Sequence, residues 1–368
     1  MFSFEKRFSQ RHVDALCSTS RTTHEQMALH ALAAARVMAM KLSSSSNALK
    51  RRAGGLVAVV YVSQGKDADA VNVLETVAEK ACQQHGTRVL NVFRDDEYNR
   101  TGFTLGVGVA SVAGHATPSV EPLKQSALAL TEQALKTIDL RNHSATHPRC
   151  GAVDHISCHA VGDAPDDLAA QLAKCLGEGI GDRLKVPVLL YGLASSTGTQ
   201  LADLRRKYGY FRRTSQDVGW SGAHRVGDGQ VEADYGPSTI PPESGILMLG
   251  ATRWVCNNVP IVLGKYGVDA DAADALAVAR RLARQLSERG GGLPGVQAMA
   301  LTHMIDAMGS TIEVACNLLD PSTCGPDAVQ AEVERLFGEE GEFGWTVKRG
   351  YVTNLTPEDM LQQLVPLR

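Results

Sequence analysis

The succession of extended and helical periodicities predicts an α+β fold of two similar βαββαβ halves, ferredoxin-like, with mostly antiparallel sheets and helices on one face. Two observations carry this. Residues 56 to 161 run strand, helix, strand, strand, helix, strand, and the same order returns between Trp254 and Tyr351. Between them lies a Gly-, Asp- and Ser-rich connector, Phe211 to Pro242, which reads as loop.

Leu56 to Val62 is a continuous apolar run, as expected of a buried strand. Asp67 to Gln84 is helical, with Val71, Leu74, Ala78 and Ala81 at helical spacing, and Arg88 to Phe93 and Thr101 to Ala110 are strands. A helix from Pro118 to Leu140 enters through Pro118 and Ser119 and presents Leu123, Ala127, Leu130, Ala134 and Ile138 on one face. Ala152 to Val161 alternates as a strand. A helix opened by Asp163 and Pro165, a strand at Pro187 to Tyr191 and a helix near Thr199 to Lys207 follow. The second half comprises a strand at Trp254 to Leu263, a helix at Asp271 to Glu288, strands at Val296 to Thr302 and Ile312 to Leu318, a helix from Pro326 to Phe337 and a strand near Trp345 to Tyr351. A last helix starts at Thr356-Pro357-Glu358-Asp359, where Thr caps, Pro preorganises the first turn and two acids oppose the helix dipole.

The domain division that follows is a leader over residues 1–54, an N-terminal subdomain over 55–253 and a C-terminal subdomain over 254–368. The first 54 residues contain nine Lys and Arg against three acids, Glu5, Asp14 and Glu25, with a serine run at Ser43 to Ser46. That composition suits an organelle transit peptide or a disordered leader, which leaves the compartment open between cytosol and organelle. A chain of 368 residues with 44% hydrophobic and 21% charged residues has material for a sizeable core. Its net charge of -3 argues against nucleic acid as a partner, because phosphate binding needs a basic excess. No window reaches the roughly 20 apolar residues that span a bilayer, so a membrane is not expected as a partner. The eight cysteines contain no C-x-x-C pair, which fits a reduced compartment and free, buried thiols.

The densest polar cluster is Asn142 to Gly151, followed by Asp154, His155 and His159; it holds four of the eleven histidines. Two H-x-x-x-H spacings raise a zinc site and with it a metal-dependent hydrolase. The spacing does not serve a metal: Pro148 and Gly151 oppose a helix after His147, and on a strand His155 and His159 stand about 13 Å apart. No metal is therefore expected. His147, in a loop leading into a strand, is placed for general acid and base catalysis, and Arg149 offers a planar fork for a carboxylate. A surface-loop histidine beside a solvated arginine is the competing account. Gly236-Pro237-Ser238-Thr239 through Gly245 combines exposed donors, a rigid bend and hydroxyls suited to a planar heterocycle, and equally describes a long connector. Five cations among the aromatics of Leu204 to Arg213, including Arg205, form either a polyanion site or a solvated helix end.

These segments together resemble the formiminotransferase domain of formimidoyltransferase-cyclodeaminase, and most closely its stand-alone plant-type relatives. The resemblance is collinear through Asn99-Arg100-Thr101, His147-Pro148-Arg149, Gly151-Ala152-Val153-Asp154, Val186-Pro187 to Tyr191-Gly192, Gly236-Pro237-Ser238, Gly250-Ala251-Thr252-Arg253 and Asn317-Leu318-Leu319. It implies a folate cleft between the two subdomains, a homodimer, and transfer of a formimino (or formyl) group between N-formimino-L-glutamate and tetrahydrofolate, with tetrahydrofolate as co-substrate and no cyclodeaminase part. It also implies that His147 is the acid/base, that Arg100, Arg149 and Arg205 hold the substrate carboxylates, and that Gly236, Pro237, Ser238, Thr239 and Gly245 contact folate. The sequence departs from the animal type in two places. An Asp-x-Asp-x-Gly-Pro turn is replaced by Asn91 to Asp96, and a Lys and a Glu before the histidine are replaced by Ser144 and Thr146. Asp95 and Asp154 remain as acids that could orient His147; without one, a folate-binding protein of impaired activity is the alternative.

Overall fold

The computed structural model of the chain describes residues 53–110, 119–211, 230–252, 261–265, 272–306, 309–340 and 345–365. The expected leader lies outside these residues, apart from Ala53 and Gly54, which already belong to the first strand.

The first half is β1 (Ala53–Val62), α1 (Ala68–His85), β2 (Arg88–Asp95), β3 (Arg100–Ala110), α2 (Glu121–Thr137) and β4 (Val153–Gly162). It continues through α3 (Asp166–Gly179), β5 (Val188–Gly192), α4 (Leu201–Lys207) and β6 (Leu247–Thr252). Local chemistry sets the ends. Asp67 accepts a hydrogen bond from the Ala70 amide and caps α1, which Gly86 closes in the left-handed region at φ 68°. The six strands form one sheet in the order β2-β3-β1-β4-β6-β5. β2, β3, β1 and β4 are antiparallel neighbours, and β4, β6 and β5 run parallel.

β6 falls between the connector predicted to end at Pro242 and the strand predicted from Trp254, where the sequence reading assigns no element. Leu247, Met248 and Leu249 are 0–1% exposed. Buried on both faces, this strand shows no alternation, and its short apolar run carries no periodic signature.

The second half is β7 (Ile261–Lys265), α5 (Ala272–Leu286), β8 (Val296–Asp306), β9 (Gly309–Leu318), α6 (Pro326–Glu340) and β10 (Trp345–Val347). Its sheet order is β10-β7-β9-β8, the same fourth-first-third-second arrangement that β4, β1, β3 and β2 adopt in the first half. Residues 254–260 of the expected strand lie outside the described residues.

Two cores support the sheets. The larger joins Leu56, Ala58 and Val60 of β1 to Leu74 of α1, Leu123 and Leu130 of α2, and Leu172 of α3. The second joins Leu282 and Leu286 of α5 to Val314 and Leu318 of β9 and Val333 of α6. The expected one-sided helix layer is formed by α1, α2 and α3, while the last helix, α7 (Pro357–Leu364), returns to the opposite face of the first sheet. There Met360 and Leu364 pack with Val57, Val59 and Leu90. β1 is thus buried on both faces, which explains its unbroken apolar run. Gly106 and Gly108 of β3 make room for the helix: a Cβ would lie 3.0 Å from Leu364 Cδ2 at Gly106, and 2.9 Å from the Leu364 carbonyl at Gly108. The predicted cap is present, with Thr356 Oγ1 accepting from the Asp359 amide at 3.1 Å and Asp359 accepting from the Thr356 amide at 3.4 Å.

Met360 is fully buried. Met360→Ala is therefore expected to destabilise the fold by about 2–5 kcal/mol, read as a lowered urea midpoint, whereas Glu358→Ala at the exposed start of α7 changes it by less than about 1 kcal/mol.

Candidate active site

His147 precedes β4 in a segment pinned from several directions. Ser63 donates its hydroxyl to the Gly151 carbonyl (2.7 Å), the Cys150 amide donates to Asp154 (2.6 Å), and the Ala152 amide donates to the Ser244 carbonyl (2.8 Å). Asn99 closes the β2–β3 connection in the left-handed region at φ 47°, a conformation asparagine tolerates. Its side-chain carbonyl accepts from the amides of Gly65 (2.8 Å) and Lys66 (3.0 Å), and its amide donates to the Ser144 carbonyl (3.3 Å).

Arg149 is 3% exposed and turns its fork away from solvent. One Nη donates to the Asn99 carbonyl (3.2 Å) and the other to the carbonyls of Tyr98 (2.9 Å) and His147 (2.7 Å). These main-chain bonds occupy the geometry that the sequence offers to a substrate carboxylate. Burial, with Arg100 nearby, lowers its pKa to about 9.

The imidazole of His147 is 7% exposed. Nδ1 lies 2.8 Å from the Pro148 carbonyl. Because a carbonyl only accepts, this bond places the proton on Nδ1 and leaves Nε2 with the lone pair. Arg100 Nη1, 3.5 Å from the same Nδ1, acts there as a neighbouring charge. Burial first, and then Arg100 and Arg149, hold the imidazole well below the ordinary histidine pKa; the bond to Pro148 opposes them without prevailing. Neither acid considered from the sequence touches the ring. Asp154 binds Arg100 (2.9 Å), and Asp95 binds His303 (3.1 Å).

A cleft of 1040 Å³ opens at His147 and is lined by both halves. The first half contributes Tyr61 of β1, Arg100 of β3, His155 of β4, Arg205 and Arg206 of α4, and Tyr210. From the second come Arg280 and Arg284 of α5, Gln297 of β8 and Asn317 of β9. Gln297 and Asn317 are register partners across β8 and β9. Aromatic rings hold the cations in place: Arg100 lies 4.6 Å from the Tyr61 ring centre and Arg205 4.4 Å from that of Tyr210. Tyr61 stacks on His155 with ring centres 5.8 Å apart, and His155 Nε2 is 2.6 Å from the Tyr191 hydroxyl. Burial lowers the pKa of His155 far below the ordinary value and that of His159 to about 3.

His147, Arg100 and Arg205 therefore share one cavity, with Arg149 behind it. Gly236, Pro237, Ser238, Thr239 and Gly245 are not among its lining residues. A Cβ at Gly236 would meet the Val186 carbonyl and Gly181, so this bend is packed where α3 ends and the chain enters β5. Gly245 (φ 68°) bridges to Gly151 and abuts the Cys150 carbonyl, supporting the His147 segment from behind. Sequence reasoning misses Tyr61, Arg280, Arg284 and Gln297. The arginines at i and i+4 on the polar side of α5 are the one local signal, and they are indistinguishable there from a solvated helix face. Among the described residues no group of three or more His, Cys, Asp or Glu is arranged to hold a metal ion. No described helix is long and apolar enough to cross a membrane.

Two βαββαβ halves thus line one cleft, rich in cations, beside a histidine whose Nδ1 is held by a main-chain carbonyl. Residues 55–252 match the model of the formiminotransferase domain, N-terminal subdomain, and the chain belongs to this family. A formiminotransferase cyclodeaminase-like protein of Arabidopsis thaliana is 36% identical over 309 residues, 84% of this chain and 95% of that protein. A glutamate formimidoyltransferase of Thermoplasma acidophilum is 24% identical across 81% of this chain and 87% of that enzyme. The formimidoyltransferase-cyclodeaminase of Sus scrofa is 25% identical across 80% of this chain but only 49% of its own length.

A pH dependence follows from the buried histidines. In the unfolded chain they take up protons near pH 6.5, while in the fold they resist protonation, so their stabilising contribution is complete above about pH 6.5 and declines on acidification. His159 contributes a slope of about 1.4 kcal/mol per pH unit between about 6.5 and its folded pKa. The variant His159→Asn is expected to flatten the fall of unfolding free energy between pH 6 and 4.5 by that amount, measured by urea titration at each pH.

Proposed function

We propose that this protein transfers a formimino group from N-formimino-L-glutamate to N5 of tetrahydrofolate, with His147 as the catalytic acid/base. The observation that carries the proposal is the bond from His147 Nδ1 to the Pro148 carbonyl, which leaves Nε2 as a base on a residue lining the cleft. N5 attacks the formimino carbon and forms the new C–N bond as its proton passes to Nε2. The same proton then goes to the glutamate nitrogen as its bond to that carbon breaks, releasing glutamate and 5-formiminotetrahydrofolate. Arg100 and Arg205 hold the glutamate carboxylates, and Gln297 and Asn317 offer paired amides to the edge of a pterin. A bound dianion offsets the cations that, after burial, lower the pKa of the imidazole, so its basicity rises in the complex. Arg149 is assigned a supporting role, and the Gly236 to Gly245 segment shapes the site from outside the cleft. Membership of the family, with relatives named as glutamate formimidoyltransferases, supports this choice of reaction.

The competing function is a folate-binding protein that has lost the chemistry. It is motivated by the orientation of His147 through a carbonyl instead of a carboxylate, since a carbonyl fixes the tautomer but stabilises the imidazolium less. Incubation with tetrahydrofolate and N-formimino-L-glutamate separates the two: product formation is expected, and folate binding without product would favour the binding protein. His147→Asn should lower kcat by about 10²- to 10⁴-fold while folate affinity stays within a few-fold. A homodimer belongs to the same proposal and is checked by sedimentation equilibrium; a monomer at micromolar concentration would remove it.

A further inference from the structure

The β2–β3 connection carries a residue that the reaction above does not use. Tyr98 is 7% exposed, and five side chains converge on it. Its hydroxyl donates to Glu313 Oε2 on β9 (2.8 Å), and its amide donates to Asp95 (2.7 Å). The carbonyl accepts from Arg149, whose same Nη also holds the His147 carbonyl. Lastly, the ring meets the His147 imidazole edge-on, with centres 5.1 Å apart, and that of His303 edge-on at 4.7 Å.

Glu313 is 1% exposed and is itself fixed from the second half: Tyr351 donates to its other oxygen (3.1 Å), and His303 approaches that oxygen at 3.6 Å while bonding Asp95. Burial raises the pKa of Glu313, and Tyr98 and Tyr351 partly compensate by donating to it. A buried carboxyl with this set of donors is a costly group to keep, and a generic contact between two sheets would be served by apolar side chains. What distinguishes this contact is its position, one ring away from the imidazole that must be held to within about 0.5 Å of its productive geometry with the reacting nitrogen.

Resting on the transferase function proposed above, we infer that Tyr98 is a positioning residue for His147, and that Glu313 of the second half sets it, so that the imidazole is correctly placed only when the two halves are docked. The docking of β9 reaches the ring through a hydroxyl, an aromatic edge and the shared Arg149 nitrogen. The second half then does more than wall the cleft: it completes the acid/base apparatus.

Tyr98→Phe keeps the ring and removes the bond to Glu313. It should lower kcat about 10- to 100-fold with KM for tetrahydrofolate within threefold, measured well below the melting temperature of the variant. Glu313→Ala should fall as far, and Glu313→Gln, which keeps a polar group within reach of both phenols, should restore most of the loss. A kcat for Tyr98→Phe within twofold of the wild type would overturn the inference, as would equal losses in Glu313→Ala and Glu313→Gln. A second readout is independent of turnover. In ¹⁵N-histidine spectra the wild-type His147 should show a protonated Nδ1 and an unprotonated Nε2 at pH 7, and both Tyr98→Phe and Glu313→Ala should show a mixture of tautomers. An unchanged His147 signal in both variants would count against Tyr98 whatever the reaction. An inactive wild type with the expected spectral change would refute the transferase function alone.

Discussion

Three main-chain carbonyls, those of Tyr98, Asn99 and His147, converge on the buried guanidinium of Arg149, and the rest of the site is arranged around that convergence. The group ties the β2–β3 connection to the segment before β4, two pieces of chain that no strand pairing holds together at this point. An arginine suits the position because its planar fork serves several acceptors at once and stays cationic where an ammonium would lose its charge more readily. The consequence is electrostatic as well as mechanical. Burial first, and then the charges of Arg100 and Arg149, keep the imidazole neutral without any carboxylate partner.

The orientation of that imidazole differs in kind from the carboxylate-paired histidine of hydrolytic triads. A carbonyl acceptor determines which nitrogen carries the proton, yet brings no negative charge to stabilise the protonated ring. The two acids that the sequence offers as partners for the ring are committed elsewhere, Asp154 to Arg100 and Asp95 to His303. In the proposed reaction, charge compensation in the cleft comes in part from the glutamate dianion, which gives the substrate a chemical role beyond binding.

The fold supplies the geometry for this through small residues. Glycines in β3 clear the face of the first sheet on which the last helix lies, and Gly102 clears the space over which the Tyr61 ring spreads: a Cβ there would stand 2.7 Å from Tyr61 Cε1. Tyr61 in turn stacks on His155 and supports Arg100. One face of β1 and β4 therefore changes character along its length, from apolar under Leu364 to polar under the cleft, while the opposite face remains a uniform hydrophobic core.

Much of this was legible in the amino-acid order. The periodicities of α1, α2 and α5, the Thr356 cap and both βαββαβ successions follow from short-range chemistry, because helix spacing and capping act within a few residues. His147, Arg100 and Arg205 could be singled out by residue type and by resemblance. Other features were settled only by tertiary contact. β6 has no periodic signature because both of its faces are buried. Arg149 reads as a ligand fork until three carbonyls occupy it, two of them, those of Tyr98 and Asn99, from a distant part of the chain. The Gly236 bend appears suited to a heterocycle until Val186 and Gly181 are seen against it. Glu313 and Tyr98, 215 positions apart, share a hydrogen bond that no local pattern encodes. Sequence by itself determined the elements and the reactive groups, since those depend on neighbours along the chain; which groups face the cleft was decided by sheet order and the docking of the two halves, which bring together residues hundreds of positions apart.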